Sequence, residues 1–206
     1  FTEDRPAVTA AAFDGDEYDD VVVASLTGGA GMVLIYPGST DATVGPPYPE
    51  SSIGGSIYDV NHGDFDKDGC MDLAFSDRSV NQLKISYGDC LGGVSPHDSY
   101  PTHAAPGGIG VGYINGDTLL DLVVANESSL EVSIYFGESI GFSPPSYYDS
   151  GVRALNLDLG FLNSDPYLDI AVAGWDGRTS VLLGDSAGGF GAPDVYRPWG
   201  NVSEVR

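Results

Sequence analysis

The sequence predicts an all-β chain, a β-propeller built from four-stranded antiparallel blades. Three observations carry this expectation. An acidic loop motif recurs at residues 12–20, 64–72, 113–121 and 161–169, and its final aspartates, Asp20, Asp72, Asp121 and Asp169, stand 52, 49 and 48 residues apart. Each motif is followed at once by an apolar run and then by a second, alternating one. Glycine (29 residues) and proline (13) punctuate the chain, while runs of Ala, Glu, Lys and Leu are missing, which favours short strands and turns over helices. A period of about 40–50 residues with four strands per unit is the signature of a propeller blade. A sandwich would not repeat its loop chemistry at fixed spacing.

Within each repeat the elements follow one order. A first strand precedes the acidic loop and alternates, as in Leu155, Leu157 and Leu159. The second strand covers residues 21–24, 73–75, 122–125 and 170–173, apolar on both faces as a strand inside a stack of sheets must be. The third covers 32–36, 83–87, 132–136 and 179–183, and Gly38, Gly88, Gly137 and Gly184 end it. The fourth is Pro- and Tyr-containing, at 44–48, 93–100, 141–147 and 189–196, and proline is tolerated there because an edge strand can lose an N–H. These units divide one propeller domain, 1–206, into repeats of about 6–50, 51–102, 103–150 and 151–199. The tail 200–206 aligns with 151–157 and reads as the start of a further first strand. Either it closes a four-bladed ring, or the chain is part of a larger propeller. Phe1 in place of a methionine reads as a mature or trimmed product.

The charge narrows the function. With 30 acidic and 8 basic side chains the net charge is −22, which repels nucleic acid and anionic lipid. No stretch is apolar enough to insert into a membrane as a helix. Asp supplies 23 of the acids and Glu 7, so the charge belongs to turns and metal loops rather than helices. If the hairpin of repeat two turns at Ser79–Val80, Cys70 and Cys90 lie nearly opposite each other, close enough for a disulfide. Such a bond suits an oxidising, extracellular compartment. Asn126 and Asn201 head Asn-x-Ser sequons, candidate glycosylation sites.

The acidic loops read as metal sites. In repeat two, Asp64, Asp66, Asp68 and Asp72 hold loop positions 1, 3, 5 and 9, Gly69 permits the turn, and the Cys70 carbonyl points inward. Oxygen donors in this number suit Ca²⁺, and four carboxylates within nine residues repel unless a cation sits among them. Repeat one keeps Asp14, Asp16 and Asp20, with Asp19 nearby. Repeat three keeps Asn115, Asp117 and Asp121, and repeat four Asn163, Asp165 and Asp169. Position 1 is apolar or aromatic in these three (Ala12, Tyr113, Phe161), so one to four calcium ions are expected, with repeat two the strongest. Where no cation binds, the position-9 aspartate is expected to accept backbone N–H bonds.

The motif resembles the FG-GAP/VCBS repeat of integrin α-subunit propellers and of secreted microbial propellers. That loop reads Asp-x-Asp/Asn-x-Asp-Gly-x-x-Asp before a hydrophobic strand, and residues 64–72 match it fully. The Phe-Gly and Gly-Ala-Pro elements are echoed at Phe136–Gly137 and at 189–193. The resemblance implies a propeller and calcium. Its relatives include adhesion receptors, lectins, a phospholipase and polysaccharide lyases.

In an antiparallel meander the acidic loops share one end of the blade, so a ligand site is expected at the other end. There Trp175, Asp176 and Arg178 form the most ligand-like cluster, and Asp77 and Arg78 are candidates in the corresponding loop of repeat two. Tyr147, Tyr148 and Asp149, and the stretch with His97, Tyr100 and His103, are secondary candidates. His62 is expected to be structural. No nucleophile elbow, zincin helix or phosphate loop is present in the sequence. The expected function is therefore an extracellular calcium-binding recognition module for glycan or protein, lectin-like or adhesion-like. The alternatives are a polysaccharide lyase or its accessory domain, and a building block that self-assembles or continues in a longer chain.

Overall fold

The structure, a computed structural model, describes residues 6–27, 30–41, 43–49, 51–95 and 98–197. Among these residues the chain forms sixteen strands in four antiparallel sheets, each a meander of sequence-adjacent strands. The first sheet holds β1 (Ala7–Ala11), β2 (Asp20–Thr27), β3 (Ala30–Tyr36) and β4 (Ser51–Ser52). The second holds β5 (Ile57–Gly63), β6 (Asp72–Asp77), β7 (Gln82–Ser86) and β8 (Asp98–Pro101). The third holds β9 (Pro106–Gly112), β10 (Asp121–Asn126), β11 (Glu131–Tyr135) and β12 (Ser146–Asp149). The fourth holds β13 (Ala154–Gly160), β14 (Asp169–Gly174), β15 (Thr179–Leu182) and β16 (Asp194–Tyr196). These are the four expected blades.

The outermost strands are shorter than the sequence suggests. Residues 44–48 form no strand, and the edge of the first blade is β4, paired to Met32 and Val33. That blade therefore runs past residue 50. In the other three blades the run begins with a single bridge, Gly88 to Val94, Gly137 to Phe142 and Gly184 to Phe190, before the edge strand proper. Prolines 144, 145 and 193 interrupt the ladder between bridge and strand in the third and fourth blades, because each lacks an N–H.

Three apolar cores lie between successive blades. Val22, Ala24, Val33 and Ile35 of the first blade meet Val60, Leu73 and Phe75 of the second. Ala74, Leu83 and Ile85 meet Ile109, Leu122, Val124 and Tyr135. Val123, Ala125, Val132 and Ile134 meet Ala154, Ile170, Val172 and Leu182. The two faces of β6, and likewise of β10, thus serve two different cores, which is why both strands are buried along their whole length. Polar bolts cross between inner strands. Asn61 Nδ2 donates to Ile109 O, the Ile109 N–H to Asp59, and Thr9 pairs with His62 Nδ1 at 2.7 Å. Arg78 and Arg153 both bridge to Glu127, which ties blades two, three and four together.

The first strands pack side by side in the order β1, β5, β9, β13. No comparable packing joins β13 to β1 among the described residues, so the four sheets do not close on themselves. The tail 200–206 lies outside the described residues.

Candidate metal centre

All four acidic loops are built on one staple. The position-9 aspartate is fully buried in every blade. One oxygen of Asp72 accepts the Phe65 N–H (2.7 Å) and the other the Gly88 N–H (2.9 Å). Asp20 takes Phe13 and Gly38, Asp121 takes Ile114 and Gly137, and Asp169 takes Leu162 and Gly184. The carboxylate thus fastens its own loop to the end of the third strand two elements later. The glycine is part of this device. A Cβ at Gly88 would stand 2.2 Å from Met71 O, and one at Gly184 2.2 Å from Leu168 O. Sequence reading took these glycines only as strand ends. Their fixed place after each apolar pair of strands was the available signal. The sequence expectation that the position-9 aspartate can accept backbone N–H bonds holds in all four loops.

The loops then differ. Each chains Asx turns, with positions 3 and 5 accepting N–H groups two residues on. In blade one, Tyr48 donates its hydroxyl to the second oxygen of Asp14 at 2.7 Å, which pushes the Tyr48 phenol up to about 12. In blades three and four the Asn115 and Asn163 amides donate to Asp117 and Asp165, each at 2.8 Å. A neutral donor in these three loops does part of what a cation would do.

Blade two has no such donor. Carboxylate oxygens of Asp64, Asp66 and Asp72 lie within 4.8 Å of one another, the one group of this kind among the described residues. Oδ1 of Asp64 is buried with no hydrogen-bond partner, while its Oδ2 accepts the Gly69 N–H at 3.1 Å. Gly69 reaches φ 92°, a conformation that glycine adopts without strain. Burial pushes the Asp72 carboxyl up to about 6, and Asp66 and Asp68 add to the shift. Asp68 stands outside the group of three and accepts the Cys70 N–H. The donor set is all oxygen, anionic and incompletely satisfied, which fits a hard divalent cation.

A disulfide joins Cys70 and Cys90, whose Cα atoms are 5.0 Å apart, as the hairpin register implied. The register itself pairs Asp77 with Gln82 and Leu73 with Ser86. The bond ties the acidic loop of blade two to the turn after β7.

At the opposite end of the blades the candidates separate. Trp175 is 58% exposed, and Asp176 pairs with Arg178 Nε at 2.6 Å, which holds the Asp176 carboxyl low. These three residues are available to a ligand. Asp77 is not, contrary to expectation: it is fully buried, bonded to Lys84 Nζ at 2.7 Å and to Ser56 and Ser79. Burial works against its charge, yet Lys84, Ser79 and the two backbone N–H groups together keep its carboxyl below the usual range. Arg78 is likewise committed, donating to Pro106 O, pairing with Glu127 and lying 3.7 Å over the Tyr58 ring. Asn126 is also a correction. It is fully buried and donates Nδ2 to Ser133 at 2.7 Å, so no glycan fits on it in the fold. His103 stacks on Tyr147 at 3.7 Å and pairs with Glu131. Tyr148 packs edge-on against Phe190. His62, its pKa lowered by burial, is a packing residue. His97 and Asn201 lie outside the described residues.

The family model described as an FG-GAP-like repeat matches residues 13–75, from the first acidic loop to the second strand of blade two. Residues 13–75 are thus similar to an FG-GAP-like repeat. This span contains the Asp64, Asp66 and Asp72 group. No curated protein matches the chain. Among solved structures, the crystal structure of BBS1N in complex with ARL6DN, soaked with mercury, superposes with a TM-score of 0.65 at 15% identity. The match covers 96% of this chain and 55% of that one, so the chain spans about half the length of this propeller neighbour.

Proposed function

We propose that this FG-GAP-like propeller is a secreted, calcium-stabilised recognition module for glycan or protein, without catalytic activity of its own. The observation that carries the calcium reading is the buried, unpartnered Asp64 oxygen beside Asp66 and Asp72. These three carboxylates would hold the ion, with Asp68 and the Cys70 carbonyl completing the expected set. The ion would supply charge neutralisation and order the loop between β5 and β6. The disulfide supports an oxidising compartment. The exposed Trp175 ring beside the Asp176–Arg178 pair supports recognition, since an apolar face rimmed by hydrogen-bonding groups suits a sugar or a peptide.

Thermal melts with calcium and with EDTA test the first part. A ligand at 100 times its Kd stabilises by about 2.7 kcal/mol, so calcium raises the melting temperature measurably and EDTA reverses it. Asp66→Ala abolishes the response, while Asp117→Ala in blade three keeps it. A melt indifferent to EDTA rejects the calcium reading. A glycan array and a protein pull-down in calcium test the second part. Binding that Trp175→Ala removes supports it, and silence in both assays counts against it.

A further inference from the structure

The acidic loop of blade two differs from the other three in a second respect. It alone is fastened by a covalent bond, because the chain has two cysteines and both form the Cys70–Cys90 disulfide. Cys70 holds loop position 7, directly after Gly69, and its N–H closes on Asp68. Tyr18, Leu119 and Tyr167 hold that position in blades one, three and four. Their loops carry a neutral donor that satisfies one carboxylate: the Tyr48 hydroxyl, the Asn115 amide or the Asn163 amide. The loop that gathers three carboxylates without such a donor is therefore the loop with the disulfide.

The partner cysteine sits in a turn that is anchored from elsewhere. Asp89 Oδ1 accepts the Leu91 and Gly93 N–H groups, and the Gly92 N–H donates to Phe13 O of blade one at 3.1 Å. Tyr48 packs so closely on Gly92 that a Cβ there would stand 2.3 Å from the ring. Two residues before Cys90, the Gly88 N–H holds Asp72. Cys90 itself lies at φ 55°, a left-handed conformation that an ordinary side chain resists, while Ser139 and Ser186 in the corresponding turns do not adopt it. The bond thus hands the rigidity of the joint between blades one and two to a loop whose residues 66–69 are exposed and whose charges repel.

We propose that this disulfide is a redox control on the carboxylate site of blade two, an inference that rests on the calcium reading of that loop. With the bond closed, Asp64, Asp66 and Asp72 stay gathered, and a divalent cation binds without first ordering the loop. A dithiol opens the bond. Its thiolate attacks one sulfur and expels the other cysteine as a thiolate, and the second thiol of the reductant then displaces the first cysteine. Two electrons and two protons pass to Cys70 and Cys90, and the reductant becomes a cyclic disulfide. Both cysteines are partly exposed, so a small dithiol reaches them. Calcium affinity then falls about 10- to 100-fold, the range that residues supporting a metal site command. Linkage requires the converse, that saturating calcium makes the bond harder to reduce by the same factor.

Two measurements on the 206-residue chain test this. The first is calorimetric titration of calcium into the oxidised chain and into the double variant Cys70→Ser and Cys90→Ser. The variant binds calcium more weakly by the stated factor, with its circular dichroism unchanged. The second is a dithiothreitol titration of the disulfide, followed by thiol labelling, with and without calcium. Calcium shifts the midpoint towards more reducing conditions in the wild type and leaves it in place in Asp66→Ala. Equal calcium affinity with and without the disulfide overturns this inference and leaves the calcium reading standing. An oxidised chain that takes up no calcium defeats both. A double variant that loses its strand signal also overturns it, because the bond then holds the whole fold rather than the site.

Discussion

At the scale of residues, the same side-chain type serves different ends in one loop. Asp72 is a staple whose two oxygens hold backbone N–H groups on β-strand boundaries. Asp64, eight residues earlier, keeps a buried oxygen unsatisfied. The spacing of the acids was legible in the sequence. The division of labour was not, because it depends on which N–H groups the fold brings near. The same holds for Asn126, whose sequon is plain in sequence and whose burial follows only from β10 lying inside two cores. Backbone strain can also be read at this scale. Leu130 sits at φ 58°, in the turn position that Asn81 holds at φ 52° in blade two. A left-handed conformation costs an ordinary side chain about 1–2 kcal/mol, and asparagine tolerates it better. Leu130→Asn is therefore expected to stabilise the chain by about 1 kcal/mol, read as a higher urea midpoint with an unchanged slope. A lower midpoint means that Leu130 packs in a way its exposure hides.

At the scale of elements, each acidic loop is a clamp between the start of the second strand and the end of the third. The clamp explains why a glycine recurs in each blade at the strand end. Gly88→Ala forces a Cβ to within 2.2 Å of Met71 O, so β7 must shift away from Asp72. The expected result is a loss of about 2–3 kcal/mol of stability and weaker calcium stabilisation together, since an unmet buried carboxylate carries a cost of that order. A variant that melts like wild type shows that the strand end can adjust without breaking the staple. The second and third strands were legible in place and order, because an apolar run bounded by Asp and Gly has few other readings, though the second strands run one to three residues beyond the apolar residues at one or both ends. The fourth strands were not. Proline fixes where a ladder is broken but not where it resumes, so residues 44–48 were read as a strand that forms instead at Ser51–Ser52.

At the scale of the molecule, four repeats give four blades, and the arc they make is open. Blade count was written in the spacing of four aspartates. Closure was not, since it depends on the angle between sheets. The candidate site is asymmetric in a way that repeat symmetry concealed. Loops one, three and four supply a tyrosine hydroxyl or an amide to one carboxylate, and only the second, among the described residues, gathers three carboxylates without such a donor. On the proposed reading one loop, not four, is expected to hold an ion, and most of the net charge of −22 is surface charge that favours solubility. Isothermal titration of calcium into the metal-free 206-residue chain tests this most directly. The account predicts one ion per chain, lost in Asp66→Ala and retained in Asp117→Ala. A titration without heat or stabilisation, or one giving four equivalent ions per chain, would contradict it.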